Sequence, residues 1–212
     1  SDPHNAALHN PAWVQVQFAN HTLYSGEWVA LFRMFRALGC EYTAISRVDV
    51  ACDGIAGQGG DWDRVLQMAD MGEARYYGKG DWLRRGSRRQ TIGGEFGTRA
   101  SNKFIRAYRK KREMKAKGVK PHVVEAWLNA FGFDAYAADG VEVNRFEVQL
   151  KGKEIRRYFH DESRADWLEG LANVGQRVDV FASMAVGMFD FRTPTKYARD
   201  AVPVTAWDWS CV

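Results

Sequence analysis

Three segments of the sequence repeat one arrangement, in which an arginine stands two residues before a side chain with chemical potential. The three pairs are Arg47 and Asp49, Arg106 and Tyr108, and Arg145 and Glu147. Side chains two apart in a β-strand point the same way, so each pair would share one face of its strand. The residues inside the pairs are Val48, Ala107 and Phe146. Being apolar, they predict that the opposite face packs against a core.

The carboxylates of this polar face predict a metal site. Asp49, Asp53 and Glu147 would converge there, and like charges at close range are unfavourable unless a cation joins them. Oxygen ligands suit hard divalent ions, so the sequence predicts Mg²⁺ or Mn²⁺, which would stabilise charge on a phosphodiester. The alternative is the solvated face of an ordinary antiparallel sheet.

Tyr108 is the candidate nucleophile, because a tyrosine beside such a site can attack phosphorus and form a covalent intermediate. A free phenol has a pKa of about 10, so it needs a neighbouring cation. Arg106, Arg109 and Lys110 are close in sequence and would also grip a DNA backbone. Tyr76 and Tyr77 are alternative nucleophiles or base-stacking residues.

Four strands would position these residues. Glu41–Asp53 reads as a central strand, Gln90–Phe96 and Asn102–Arg109 as a hairpin, and Val141–Leu150 as an alternating strand. The second hairpin arm is ambiguous, because its lysines and arginines favour a helix running to Lys117 equally well. We favour a strand, because Phe104, Ile105 and Tyr108 itself have high sheet propensity.

The rest of the chain predicts helices on one side of this sheet. The expected elements are a strand at Ala12–Phe18, helices at Glu27–Leu38, Asp61–Ala74, Pro121–Phe131 and Ser163–Ala172, a short strand or extended loop at Ala74–Gly80, an exposed basic loop at Arg84–Arg89, and an apolar strand or helix at Arg177–Phe189. The fold class is therefore α+β, a mostly antiparallel central sheet with helices packed on one face and the other face open, carrying the active site. We expect a single catalytic domain over 1–212, excised from a longer protein, with 193–212 as a wrapping tail.

Composition narrows the class of protein. Three scattered cysteines are too few for a disulfide framework or a zinc site, and no apolar run could span a bilayer. No signal peptide is visible, so a cytoplasmic protein is expected. The net charge of +4 is modest, but its basic residues cluster, which favours a polyanionic partner.

Three motifs together carry a family resemblance. RVDVACD at Arg47–Asp53, GGEFGTRASNKFIRAYRK at Gly93–Lys110 and NRFEVQLKG at Asn144–Gly152 follow one another in that order. They resemble the trans-acting replication initiation factors of rolling-circle plasmids and filamentous phages. One departure is Arg109, which follows the tyrosine where the family often has an acidic residue or asparagine.

The resemblance implies a metal-dependent DNA nickase and strand transferase. It would cut single-stranded or hairpin origin DNA, attach to the 5′ phosphate through tyrosine and leave a 3′ hydroxyl for priming. The implied nucleophile is Tyr108, the implied metal ligands are Asp49, Asp53 and Glu147, and the loop that would approach the DNA backbone carries Gly97, Arg99 and Ser101. From the charge pattern itself we expect catalytic roles for Arg106 and Lys110, and DNA binding by Arg47, Lys103, Arg109 and Arg145. The expected partners are a host helicase and a second copy of the chain, and the expected location is the bacterial cytoplasm.

Two other functions fit the same residues. One is a non-catalytic module that binds single-stranded nucleic acid by charge and aromatic stacking. The other is a metal-dependent nuclease that activates water, with Tyr108 as a bystander. Three carboxylates would repel phosphate, which argues against pure binding.

Overall fold

The structure is a computed structural model that describes residues 16–40, 45–58, 67–68, 71, 73–77, 82–87, 90–152, 154–155, 181–183 and 189–191. Two compact units divide the chain, residues 1–40 and residues 41–212. The predicted helix at Ser163–Ala172 and the tail from Thr193 lie outside the described residues, as do most of Asp61–Ala74 and of Arg177–Phe189.

The described part of the first unit, residues 16–40, contains two helices, α1 at Asn20–Ser25 and α2 at Glu27–Ala37. Gly26 joins them with a φ of 76°, a left-handed conformation that glycine adopts without strain. The helix predicted at Glu27–Leu38 is confirmed. Trp28 and Phe32 are buried, whereas Leu38 is 71% exposed. The described end of the predicted first strand, residues 16–18, has no regular structure.

The described elements of the second unit are, in chain order, β1 Arg47–Ile55, β2 Ala74–Tyr76, β3 Trp82–Ser87, β4 Gln90–Phe96, β5 Lys103–Arg109, α3 Lys110–Lys117, α4 Pro121–Phe131, β6 Val143–Lys151 and β7 Phe189–Phe191. Five of the strands form an antiparallel sheet with the order β1-β6-β5-β4-β3. Strands β2 and β7 form a separate two-stranded sheet. The predicted α+β class with an antiparallel central sheet is confirmed.

The ambiguous arm of the hairpin is a strand. Tyr108 lies in β5, and α3 begins two residues later at Lys110. The strand can continue this far because β5 is held on both sides, by β4 and by β6. Helix propensity therefore decides the conformation only beyond the sheet, where the basic run becomes α3.

The prediction of an exposed loop at Arg84–Arg89 is wrong, because residues up to Ser87 belong to β3. Among the described strands, β3 pairs with β4 alone and forms one edge of the sheet, with a register irregularity between Arg85 and Gly86. Edge strands commonly carry charged residues, which discourage pairing with other chains. A basic composition was therefore a poor argument against a strand here.

One side of the sheet is apolar, as the alternation predicts. Its buried residues include Cys52, Ile105, Phe146, Val148 and Leu150. The Phe146 ring meets Phe181 edge-on, with 6.3 Å between ring centroids. Burying such side chains supplies the main favourable term in folding.

A second core cluster lies where α3 and α4 meet the start of β6. It consists of Met114, Val123, Trp127, Ala135 and Val143. Val143 alternates with Arg145 and Glu147 along β6, so these helices cover one end of the polar side of the sheet.

None of the helices within the described ranges combines the length and hydrophobicity that a bilayer span requires.

Candidate active site

The strand register brings the predicted residues to one side of the sheet. Glu147 on β6 lies opposite Arg106 on β5, and Arg145 lies opposite Tyr108. On its other flank Arg145 lies opposite Asp53 on β1. Period-2 alternation therefore produces the polar face that the sequence predicts, and central strands supply its principal side chains.

Tyr108 is oriented by a carboxylate on the neighbouring strand. Its hydroxyl donates to Glu147 Oε2 at 3.2 Å. The other oxygen of Glu147 accepts from the Arg106 guanidinium in a salt bridge. The two oxygens of Glu147 thus hold a tyrosine and an arginine that are adjacent along the same face of β5.

Two cations lie beside the aromatic ring of Tyr108. Arg106 Cζ is 5.5 Å from the ring centroid, and Lys110 Nζ is 5.6 Å from it. Positive groups at this distance are attracted by the ring and would stabilise negative charge on the phenolic oxygen. Both residues were predicted to be catalytic, and the structure brings both to the tyrosine.

The environment keeps Tyr108 protonated at rest. Burial raises the pKa of its phenol, and the negative charge of Glu147 raises it further, against the opposing influence of Arg145 and Arg106. The hydroxyl is therefore a hydrogen-bond donor in the free protein. Nucleophilic attack would require the proton to leave as the bond to phosphorus forms, and Glu147 is the group already accepting it.

Lys110 is a buried lysine at the first position of α3, and only 2% of it is exposed. Burial lowers the pKa of its ammonium group, and Arg145 lowers it further. Glu113 opposes both effects through a hydrogen bond of 2.5 Å from Lys110 Nζ. The paired carboxylate keeps a positive charge next to Tyr108 despite the burial.

Asp53 is held by side chains from two other elements. Arg145 donates from Nε to Oδ1 at 2.6 Å and from its terminal nitrogen to Oδ2 at 2.5 Å. The indole nitrogen of Trp127, on α4, donates to the same Oδ2 at 2.7 Å. The sequence did not predict the contact between Trp127 and Asp53, because the two residues are 74 positions apart in the chain.

Asp49 is paired differently, with Arg47 on its own strand. The guanidinium makes two hydrogen bonds to the carboxylate, one of them from Nε at 2.7 Å. Both side chains are accessible, 52% for Arg47 and 31% for Asp49. The Arg-x-Asp motif thus produces a solvent-facing ion pair at the outer end of the polar face.

The three predicted metal ligands do not fit a single ion as a set. Asp49 and Asp53 are four residues apart on one strand, which separates their Cα atoms by about 13 Å. Mg²⁺ binds carboxylate oxygens at about 2 Å, so one ion cannot reach both. Each carboxylate also pairs with an arginine, and the described part of the chain contains no cluster of three or more His, Cys, Asp or Glu residues arranged for a metal.

The loop between β4 and β5 is anchored to the end of β6. The Arg99 carbonyl accepts hydrogen bonds from Lys151 Nζ and from Gln149 Nε2, while 70% of the Arg99 side chain remains exposed. Gly97 allows the turn with a φ of 79°, and the Thr98 and Ser101 hydroxyls are 2.8 Å apart. The predicted DNA-binding residues of this loop therefore lie on a fixed backbone.

Two predicted DNA-binding residues are not brought to this face. Lys103 and Arg109 alternate with Arg106 and Tyr108 along β5, so they point to the opposite side. Lys103 pairs there with Glu154 at 3.4 Å, and both side chains are largely buried. Both residues are close to Tyr108 in sequence, but alternate residues of a strand point to opposite faces, so their side chains lie on the other side of the sheet.

Gly93 is a further residue that sequence reasoning did not assign to the site. It lies opposite Tyr108 on β4. A Cβ atom at this position would be 2.8 Å from the Ala107 carbonyl oxygen and 3.0 Å from Tyr108 Cβ. The backbone at the tyrosine can therefore approach β4 this closely only if residue 93 is glycine.

The alternative tyrosines are less suited to nucleophilic attack. The Tyr76 hydroxyl donates to the Lys103 carbonyl at 3.0 Å. Burial raises the pKa of Tyr76 to about 12, with a contribution from Glu154, but burial raises the pKa of Tyr108 as well, so the difference between the two lies in their partners. Tyr77 is 45% exposed. Tyr76 thus has a carbonyl partner, whereas Tyr108 has both a carboxylate and nearby cations.

Comparison with solved structures finds distant similarity to a replication protein. No family model matches the sequence, and no curated protein matches it. The rolling circle replication initiator protein from Geobacillus stearothermophilus is 19% identical, with a TM-score of 0.48. The match covers 80% of this chain and 54% of that one, so the chain spans about half the length of this neighbour.

Proposed function

We propose that the chain nicks single-stranded DNA at a replication origin, using Tyr108 as the nucleophile. The observation that carries this proposal is the hydrogen bond from the Tyr108 hydroxyl to Glu147, with Arg106 and Lys110 beside the ring. Phosphoryl transfer to a tyrosine uses a nucleophilic oxygen, a group that accepts its proton, and positive charge close by, and these residues supply all three. The ordered motifs of the rolling-circle initiation factors support the same assignment.

In the proposed reaction, the phenolic oxygen attacks the scissile phosphorus and the bond to the 3′ oxygen breaks. The tyrosine proton passes to Glu147, and the departing 3′ oxygen is protonated by water or by Lys110. The products are a 5′-phosphotyrosine and a free 3′ hydroxyl, which can prime synthesis. Arg106 and Arg145 would offset the charge on the phosphoryl oxygens during the transfer.

Mg²⁺ or Mn²⁺ stays a prediction for this site. Because Asp49, Asp53 and Glu147 do not fit one ion as a set, none of the steps above is assigned to a metal. Likewise, a host helicase, a homodimer, a cytoplasmic location and a plasmid or phage origin belong to the proposal through the family resemblance.

The test is formation of a covalent protein–DNA adduct. The protein is incubated with Mn²⁺ and labelled single-stranded origin DNA, denatured and run on a gel. We expect an adduct that Tyr108→Phe abolishes, with DNA binding retained, because only the attacking oxygen is removed. Tyr77→Phe is the matched control and should leave the adduct in place.

Two results would replace the proposal with a different function. Cleavage that survives Tyr108→Phe would indicate a nuclease that activates water. Tight, salt-sensitive binding without cleavage under any divalent ion would indicate a binding module. The gel reports cleavage and adduct formation separately, and a DNA-binding titration at several salt concentrations identifies the binding module.

A further inference from the structure

Asp53 is committed to a network rather than directed at an open site. Its Oδ1 accepts one hydrogen bond from Arg145, and its Oδ2 accepts one from Arg145 and one from Trp127. A carboxylate that receives three donors in this way is already neutralised and oriented. An added cation would have to displace at least one of these partners.

The network is shielded from water. The side chain of Asp53 is 14% exposed and that of Arg145 is 8% exposed, while 2% of Trp127 is exposed. Trp127 also belongs to the core cluster formed by α3, α4 and the start of β6. A buried ion pair of this kind cannot exchange partners cheaply, since removing one member leaves an uncompensated charge.

The register continues the network to the candidate nucleophile. Arg145 lies opposite Asp53 on one side and opposite Tyr108 on the other. The positive charge of Arg145 favours the ionised phenol of Tyr108, so its influence reaches that side chain. Trp127, Asp53, Arg145 and Tyr108 therefore form a line across α4, β1, β6 and β5.

We propose that Asp53 and Trp127 are positioning residues that fix the Arg145 guanidinium beside Tyr108, and that Asp53 is not a metal ligand. Because Asp53 already holds its Nε and one terminal nitrogen, Arg145 would act through its positive charge, which favours the phenolate that develops as Tyr108 attacks. This role rests on the proposed nicking activity. It departs from the sequence prediction, in which Asp53 joins Asp49 and Glu147 around an ion.

A Mn²⁺ titration of the nicking rate separates the two roles of Asp53. At saturating Mn²⁺, Asp53→Asn should lower turnover about 10- to 100-fold, as misplacement of a catalytic group does. Trp127→Phe keeps an aromatic ring but loses the indole donor, and it should lower turnover less. Neither variant should change the Mn²⁺ concentration at half-maximal rate or the DNA concentration at half-maximal rate. If excess Mn²⁺ restores Asp53→Asn to the wild-type rate, Asp53 is a metal ligand and the proposal fails.

A double-variant comparison tests whether Asp53 acts through Arg145. Arg145→Lys keeps the charge but loses the fork that grips the carboxylate. If the two residues form one unit, Asp53→Asn should cost little more in the Arg145→Lys background than Arg145→Lys costs alone. Fully multiplicative losses of turnover would overturn the positioning role.

Nuclear magnetic resonance provides a readout that does not depend on activity. The Nε–H signals of Arg145 and Trp127 should be slow to exchange, and both should shift in Asp53→Asn. If wild type forms no DNA adduct, the nicking function fails, while these signals still decide whether the network exists. Unchanged signals in Asp53→Asn would overturn it, and Trp127→Phe provides the same test on Arg145 if Asp53→Asn does not fold.

Discussion

The two ends of β1 carry the same pair of residue types in opposite environments. At one end Arg47 and Asp49 are neighbours on a single strand, and both are accessible to solvent. At the other end Asp53 pairs across the sheet with Arg145, under the cover of Trp127. The chemical groups are identical, so the difference lies in what packs over them.

Because of this difference, the two aspartates are suited to different roles. An exposed ion pair is screened by water and contributes little, so its members can change partners when DNA or an ion arrives. A buried pair is costly to break and therefore holds its geometry. We infer that the Asp49 end of the polar face is the adaptable one, and that the Asp53 end is fixed.

The two ends of β1 should differ most in how much the loss of their aspartate lowers the free energy of unfolding. Asp53→Ala leaves Arg145 buried without its partner and should lower the free energy of unfolding by about 3–5 kcal/mol. Asp49→Ala, the matched control, should lower it by about 1 kcal/mol or less. Urea denaturation measures both values. Equal losses would show that burial does not distinguish the pairs.

The adaptable end should show its role in the salt dependence of DNA binding. If Arg47 contacts a phosphate, Arg47→Ala should reduce the slope of log K against log salt by about 1. The change should be similar for DNA of any sequence, because phosphate contacts carry no base information. Arg47→Lys retains the charge and should keep the slope. An unchanged slope in Arg47→Ala would leave the Arg47–Asp49 pair as a surface feature without contact to DNA.

The Lys110–Glu113 pair lies between these extremes, because Lys110 is buried and Glu113 is 21% exposed. Desolvation alone would raise the pKa of Glu113, but the hydrogen bond and charge of Lys110 outweigh it and lower the pKa below 4.5. A lowered carboxylate pKa stabilises the fold above about pH 4.5, and this stabilisation disappears as the pH falls through the lowered value.

Glu113→Gln should therefore cost about 1 kcal/mol near neutral pH and progressively less in acid. The measurement is the urea midpoint of both proteins as a function of pH. A stability difference that stays constant from neutral to acid pH would mean that the ion pair does not contribute.

Local pattern predicted much of this site. Alternation identified the polar side chains of β5 and β6, and the turn residues from Gly97 to Ser101 separated the two arms of the hairpin. Pro121 and Gly132 bounded α4 to the residue, since proline suits a first helical turn and glycine suits the left-handed end. These features depend on residues close together in sequence, which is why they could be predicted.

Pairings between distant residues could not be predicted. Nothing near Asp53 in sequence indicates that Trp127 will donate to it or that Arg145 will lie opposite it. Strand register and helix packing decide both, and they depend on the whole fold. The metal prediction has the same weakness. It placed Asp49 and Asp53 on one face but did not consider that about 13 Å separates their Cα atoms along β1.

Localisation of the DNA adduct tests the central claim most directly. After nicking in Mn²⁺, the protein is digested with protease and nuclease, and the nucleotide-bearing peptide is identified by mass spectrometry. The account predicts a single modified peptide, with the 5′ phosphate on Tyr108. A nucleotide on Tyr76 or Tyr77 would contradict it, because the Glu147, Arg106 and Lys110 arrangement would then not be the active site.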